Sequence, residues 1–315
     1  MSSSDAQPTI DYLNFITREL NRYIPLVFLV LGTIGNVLNI LVFTRAALRK
    51  NPCSLYFISG SIVNFFSLYI GLITPFLGLY NLDPTQFNPI LCKLRFYLRY
   101  STITLSTWFI LLACIDRYLS TSARVHIRDW SSLRMAKRLI LLSTLIAFIF
   151  PYTQTFYCYN ISSRGVCIQI DTKCKSLNDI LLLCCNSGLP PIFMALISIL
   201  TIKNVKHTQN LVTTHRRDSQ LIRILLIQVT VLILFSIPVT MQKLYSTATA
   251  YVMKSTLTTA IDSLLNQISI EISYISNSIT FYIYSLTSKK YRKEVRQLLL
   301  SPHRENRTNT VHPGE

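Results

Sequence analysis

Residues 92–122 read CKLRFYLRYSTITLSTWFILLACIDRYLSTS. The 24 steps from Cys92 to Asp116, at about 1.5 Å per residue, make a helix roughly 36 Å long. A bilayer's hydrocarbon core is about 30 Å thick, so the two residues would sit at opposite faces of a membrane. No charge falls between Thr102 and Ile115, while Ser101, Thr102, Thr104, Ser106 and Thr107 supply small polar groups. Such side chains let helices approach closely in lipid and bond across the contact. The stretch closes on Asp116-Arg117-Tyr118.

Composition agrees with a membrane reading. Of 315 residues half are apolar, only 14% are charged, and the mean hydropathy is +0.38; soluble domains carry about a quarter charged residues. Eight cysteines form neither a zinc pattern nor a dense disulfide framework. A net charge of +17 would suit nucleic acid, yet beside long apolar runs it reads as a topology signal, and no nucleic-acid partner is expected. Seven spans can be drawn, near 23–45, 54–79, 90–121, 133–155, 178–206, 215–244 and 258–286, each about 20 residues or more. Basic residues gather on one side: Arg45, Arg49 and Lys50, then Arg124 and Arg128, then Arg216 and Arg217, and finally Lys289, Lys290, Arg292 and Lys293. That side should be cytosolic, which puts the N-terminus outside. Met1 to Asn21 is polar, so the first span is expected to act as its own insertion signal, with no cleavable leader. The expected organisation is an extracellular N-terminus over 1–22, a bundle over 23–287, a membrane-surface helix over 288–300 and a disordered cytosolic tail over 301–315. The fold class is all-α: a seven-transmembrane helix bundle with a short amphipathic eighth helix.

Asp116-Arg117-Tyr118, at this distance from Cys92, resembles the Asp-Arg-Tyr signature in the third helix of rhodopsin-like (class A) G-protein-coupled receptors. The resemblance runs from about Tyr23 to Leu300, and it is nearest to invertebrate neuropeptide-type members. It implies a receptor in the plasma membrane that takes an extracellular, peptide-type ligand and activates a heterotrimeric G protein. The alternative is a non-signalling seven-helix binding or decoy receptor. Membrane lipid is the other partner, drawn to the basic face.

The family's positions carry over unevenly. Asn36 matches the helix-one Asn, but 28 residues later the family's Asp is Asn64. With Ser106 and Asn277 these should form a polar, hydrogen-bonded cluster; without a carboxylate it would hold sodium poorly. For Cys92 the resemblance implies a partner in the loop between spans four and five, which offers Cys158, Cys167 and Cys174. Cys167 is preferred, with Cys174 next, and Cys158 would pair with Cys174 or stay free. Tyr157 to Ile170 alternates as a hairpin would, and Asn160-Ile161-Ser162 is a glycosylation sequon on that loop. Asn306-Arg307-Thr308 has the same pattern in the tail.

Pro238 should kink span six, although Phe235-Ser236-Ile237-Pro238 lacks the family's Trp. Asp218, twenty residues earlier, is the candidate partner of Arg117 in a latch between spans three and six, contributing at most about 1 kcal/mol as an exposed pair. Span seven keeps Tyr284 of the family's closing motif but not its Pro, so a straighter helix is expected. Tyr291, Val295 and Leu298 give the eighth helix an apolar stripe among basic residues, and no cysteine comes after it to carry a palmitoyl group.

Candidate ligand contacts are Arg95, Arg99, Tyr100, Gln242 and Glu271. Arg99 stands where amine receptors of the family carry an Asp, and a guanidinium suits a carboxylate or peptide carbonyl. Glu271 is its candidate counter-charge. Tyr274 occupies the place of the retinal-binding Lys, which argues against light sensing. His126, His207, His215, His303 and His312 all fall in expected cytosolic segments. No catalytic residues, metal ligands or cofactor are therefore assigned, and an enzyme is not expected. Too few Gly- or Pro-broken spans are present for a transporter.

Overall fold

Two Asn-Pro pairs start the second and third helices. Asn51 and Asn88 each turn a side-chain oxygen onto early amides, Cys53 N at 2.9 Å and Ile90 N at 2.9 Å. The Pro next to each takes the first helical position, where no amide hydrogen is needed. Ser132, Asp171 and Ser255 cap three later helices the same way. This computed structural model describes residues 3–163, 165–209 and 218–300, with side chains described from 6 to 163, 165 to 206 and 220 to 300. The expected tail, its sequon and Arg216 and Arg217 lie outside the described residues.

The bundle helices are α1 (Ser3–Phe43), α2 (Pro52–Gly78), α3 (Pro89–Ser120), α4 (Leu133–Ile149), a composite α5 (Thr172–Leu182 and Leu189–Gln209), α6 (Asp218–Ala248) and α7 (Thr256–Ser278, continued by Thr280–Thr287); α8 (Lys289–Leu300) comes last. Among the described residues, five helices are long and apolar enough to cross a membrane on composition alone: α1, α2, α3, α5 and α6. α4 has only 17 residues, and α7 carries Asp262 and Glu271. α1 packs on α2 and α7, which closes the ring, and α3 touches α2, α4, α5 and α6. Of α3's apolar window 61% is buried, against 28–44% in the other four. The uncharged stretch read first is thus the central column. Lipid-facing residues such as Leu141, Ile192, Leu234 and Met241 stay exposed, as a bilayer solvent allows.

Three local features differ from expectation. α1 begins at Ser3 rather than near residue 23: the polar segment is helical as well, with Pro8 and Pro25 both accommodated inside the helix. α5 contains a π-helical turn, Leu183–Ser187, with Gly188 N bonded to Leu183 O at 2.8 Å. Pro190 and Pro191 cannot donate to the turn before them. Neighbouring helices take up the displaced carbonyls: Trp108 Nε1 donates to Cys185 O at 2.8 Å and Thr240 Oγ1 to Ser187 O at 3.1 Å.

Helix α7, expected to be straighter for want of its Pro, is instead interrupted at Ile279, where ψ is 2°. Ser276 and Ser278 bond back to the Ser273 and Tyr274 carbonyls, a habit that bends helices. Asn36 Nδ2 of α1 donates to the Asn277 carbonyl at 3.1 Å, and Asn39 Nδ2 donates to Thr280 Oγ1 at 2.9 Å. Serines of α7 and two side-chain amides from α1 do what the missing ring would have done.

Candidate functional site

Cys92 is buried at the start of α3 and bonded to Cys167, Cα to Cα 5.7 Å; Cys158 is bonded to Cys174 at 5.4 Å. Between them strands β1 (Tyr159–Ile161) and β2 (Cys167–Gln169) pair antiparallel, Asn160 opposite Ile168. The hairpin is therefore pinned to α3 and to the start of α5. Its Tyr159 stacks on Phe96 with centroids 4.0 Å apart and shares a 2.9 Å hydrogen bond with the Tyr100 hydroxyl. Burial pushes the Tyr159 hydroxyl's pKa upward, so it stays protonated near neutrality. Asn160 itself is exposed.

Beneath the hairpin lie two spaces that share wall residues. An inner cavity of about 90 Å³ is lined by Arg99, Tyr100, Thr107, Val239, Lys243 and Tyr274 among others. A wider vestibule of about 580 Å³ shares Arg99, Tyr100 and Lys243 and rises past Tyr159, Gln169 and Lys175. Gly71 of α2 makes room for the floor: a Cβ there would lie 1.8 Å from the Tyr274 hydroxyl.

Of the five candidate contacts, Arg99 and Tyr100 line both spaces. Arg95 lines neither. One turn earlier on α3, its Nη1 lies 3.5 Å from Asp83 Oδ2 and 3.4 Å from Thr85 Oγ1, in the short loop before α3. Gln242 sits in a neighbouring groove between α6 and α7 and donates to the Asp262 carbonyl at 3.4 Å. Glu271 is 4% exposed and accepts from Gln267 at 2.7 Å. It lies within electrostatic reach of Arg99 but makes no direct ion pair with it. Lys243, missed in the sequence reading, lines both spaces and meets buried Asp179 at 3.3 Å. Its signal was there: it is the first charge on α6 after Arg223.

Deeper in, the expected four-membered polar cluster is two pairs. Ser106 Oγ donates to Asn64 Oδ1, and Asn36 reaches the Asn277 backbone. Among the described residues no group of three or more His, Cys, Asp or Glu could hold a metal.

At the opposite end, Arg117 is 2% exposed and folds back on its neighbour. Its Nη2 is 2.5 Å from Asp116 Oδ2 and 3.0 Å from Asn51 Oδ1. Ser131 Oγ donates to the other Asp116 oxygen at 2.7 Å. Asn51 thus caps α2 and receives Arg117 at once. Tyr118 is half-buried. The Asp218 side chain lies outside the described residues, and so does its expected latch. Pro238 lies inside α6.

Other groups join α6 to α7 and α8. Tyr284 donates to Gln228 Oε1 at 2.6 Å, and Gln220 Oε1 accepts from Ser288 Oγ at 3.1 Å and from Lys290 N at 3.2 Å. Tyr291 bonds Asn39 at 2.6 Å, and Arg45 meets Glu294 at 2.8 Å.

Residues 35–284 match the family model described as the 7 transmembrane receptor (rhodopsin family). Galanin receptor type 2 of Rattus norvegicus is 28% identical over 148 residues, which cover 46% of this chain and 39% of that protein. The Mus musculus receptor is 27% identical over 148 residues, with the same coverage of each chain. The Homo sapiens receptor is 28% identical over 145 residues, 45% of this chain and 37% of that protein. The matched stretch therefore spans about two-fifths of these relatives' length.

Proposed function

This chain belongs to the rhodopsin family of seven-transmembrane receptors, and on that premise we propose that it binds a peptide ligand outside the cell and activates a heterotrimeric G protein inside it. In this reading the disulfide end faces outward at the plasma membrane. Its relatives' names make them receptors for galanin, a peptide. One observation carries the proposal: a disulfide-pinned hairpin leaves a vestibule open above Arg99, while α3 runs unbroken from it to the buried Asp116-Arg117 pair.

A ligand that binds one conformer better shifts an existing equilibrium. Seated among α3, α5, α6 and α7, it can favour a state in which the inner end of α6 parts from α7 and α8. That movement opens the Gln228–Tyr284 and Gln220–Ser288 bonds and uncovers the end where Arg117 lies. Coupling is tested with the purified chain in lipid discs, a panel of peptides and a purified heterotrimer, reading nucleotide exchange. Peptide-dependent exchange supports the reading. Saturable peptide binding without exchange on any heterotrimer turns it into the non-signalling binder.

A further inference from the structure

Among the described residues, Arg99 is the one lining cation of the inner cavity that makes no direct ion pair with a carboxylate. Arg95, one turn away on α3, is matched by Asp83, and Lys243 across the cavity is matched by Asp179. Around Arg99 stand Tyr274, whose ring centroid is 5.9 Å from the guanidinium carbon, and the apolar side chains of Ile103 and Ile270. Its Nε is buried with no acceptor, and Glu271 Oε2 is buried with no donor; the two feel each other electrostatically but share no hydrogen bond or direct ion pair. Charge left unbalanced at membrane depth is costly and marks function.

We propose that the inner cavity takes a single carboxylate of the ligand, with the planar fork of Arg99 as its anchor. This rests on the receptor reading and names the chemistry of its site. One unpaired guanidinium balances one negative charge, and its geometry suits a two-oxygen acceptor. A phosphate would bring a second charge with no cation left to meet it. The inner space, about 90 Å³, admits the end of a side chain or chain terminus, and the vestibule of about 580 Å³ accommodates the adjoining part of the ligand. A C-terminal carboxylate and an Asp or Glu side chain share this chemistry.

The test needs no known ligand at its first stage. Wild type, Arg95→Met, Arg99→Met and Arg99→Gln are purified as full chains and their unfolding temperatures compared. Removing an unmatched cation should leave the Arg99 variants at or above wild type, by roughly 2 °C, whereas Arg95→Met, which strands Asp83, should fall. Both Arg99 variants falling as far as Arg95→Met would overturn the proposal, since Arg99 would then be a structural partner. In the second stage, wild type is heated with three pentapeptide pools: one lacking Asp and Glu with free C-termini, the same pool amidated, and an amidated pool containing Glu. A larger upward shift from either acidic pool than from the neutral one, lost in Arg99→Gln, supports the anchor and separates terminus from side chain. Equal shifts from all three pools, including none, overturn it. These outcomes are independent of G-protein exchange, so a failure of signalling is told apart from a failure of the anchor.

Discussion

Tyr284 and Gln228 are both buried and 2.6 Å apart, so each satisfies a group that would otherwise be stranded. Gln228→Leu removes the acceptor, at a net loss of about 1 kcal/mol, or roughly a fivefold shift of a two-state equilibrium. Basal nucleotide exchange should rise by about that factor, and an unchanged basal rate would exclude the bond as a brake. Gly71→Ala should cost about 1–3 kcal/mol by overpacking, seen as a lower unfolding temperature, because its Cβ would collide with Tyr274. Tyr284 was legible through the family motif. Gln228 also carried a signal, as the one amide between Arg223 and Gln242, since such a group in lipid needs a partner. Which partner it finds depends on the relative rotation of α6 and α7, which no local pattern encodes.

At the scale of elements, the disulfide hairpin was readable in outline. Alternation over Tyr157 to Ile170 suggested the hairpin, and the family resemblance favoured Cys167 for Cys92 but left Cys158 to pair with Cys174 or stay free; both Cys92–Cys167 and Cys158–Cys174 form. Replacing Cys158 and Cys174 together by Ser reopens a 16-residue separation and should cost up to about 3 kcal/mol. The expected outcome is a lower unfolding temperature with Cys92–Cys167 still formed, checked by non-reducing peptide mapping. Helix α7 shows where reading by element failed. Its missing Pro suggested a straight rod, but the break at Ile279 is made by Ser276, Ser278 and amides from α1. The turn in α5 is the converse case, with Pro190 and Pro191 in plain view while the carbonyl partners come from α3 and α6.

For the whole molecule, orientation is the property to test, because the reading of both ends rests on it. Asn160 is exposed on β1 beside the disulfides. Expressed in glycosylating cells, the chain should lose mass on glycosidase treatment, and Asn160→Gln should abolish that loss. A chain that reaches the surface carrying no glycan at Asn160, and that admits thiol reagents to the hairpin only after permeabilisation, would invert the assignment. Apolar run lengths, the rarity of charge and the resemblance carried by Asp116-Arg117-Tyr118 led to a seven-helix bundle, because a bilayer allows so few ways to satisfy a backbone; that α3 is its central column came from the packing. Tertiary structure alone decided that Arg95 makes a direct ion pair and Arg99 does not, that Arg117 folds onto Asp116 and Asn51, and that α6 is tied to α8 through Gln220. Those outcomes depend on how each helix is rotated about its axis, and rotation is set by the summed packing of all its neighbours.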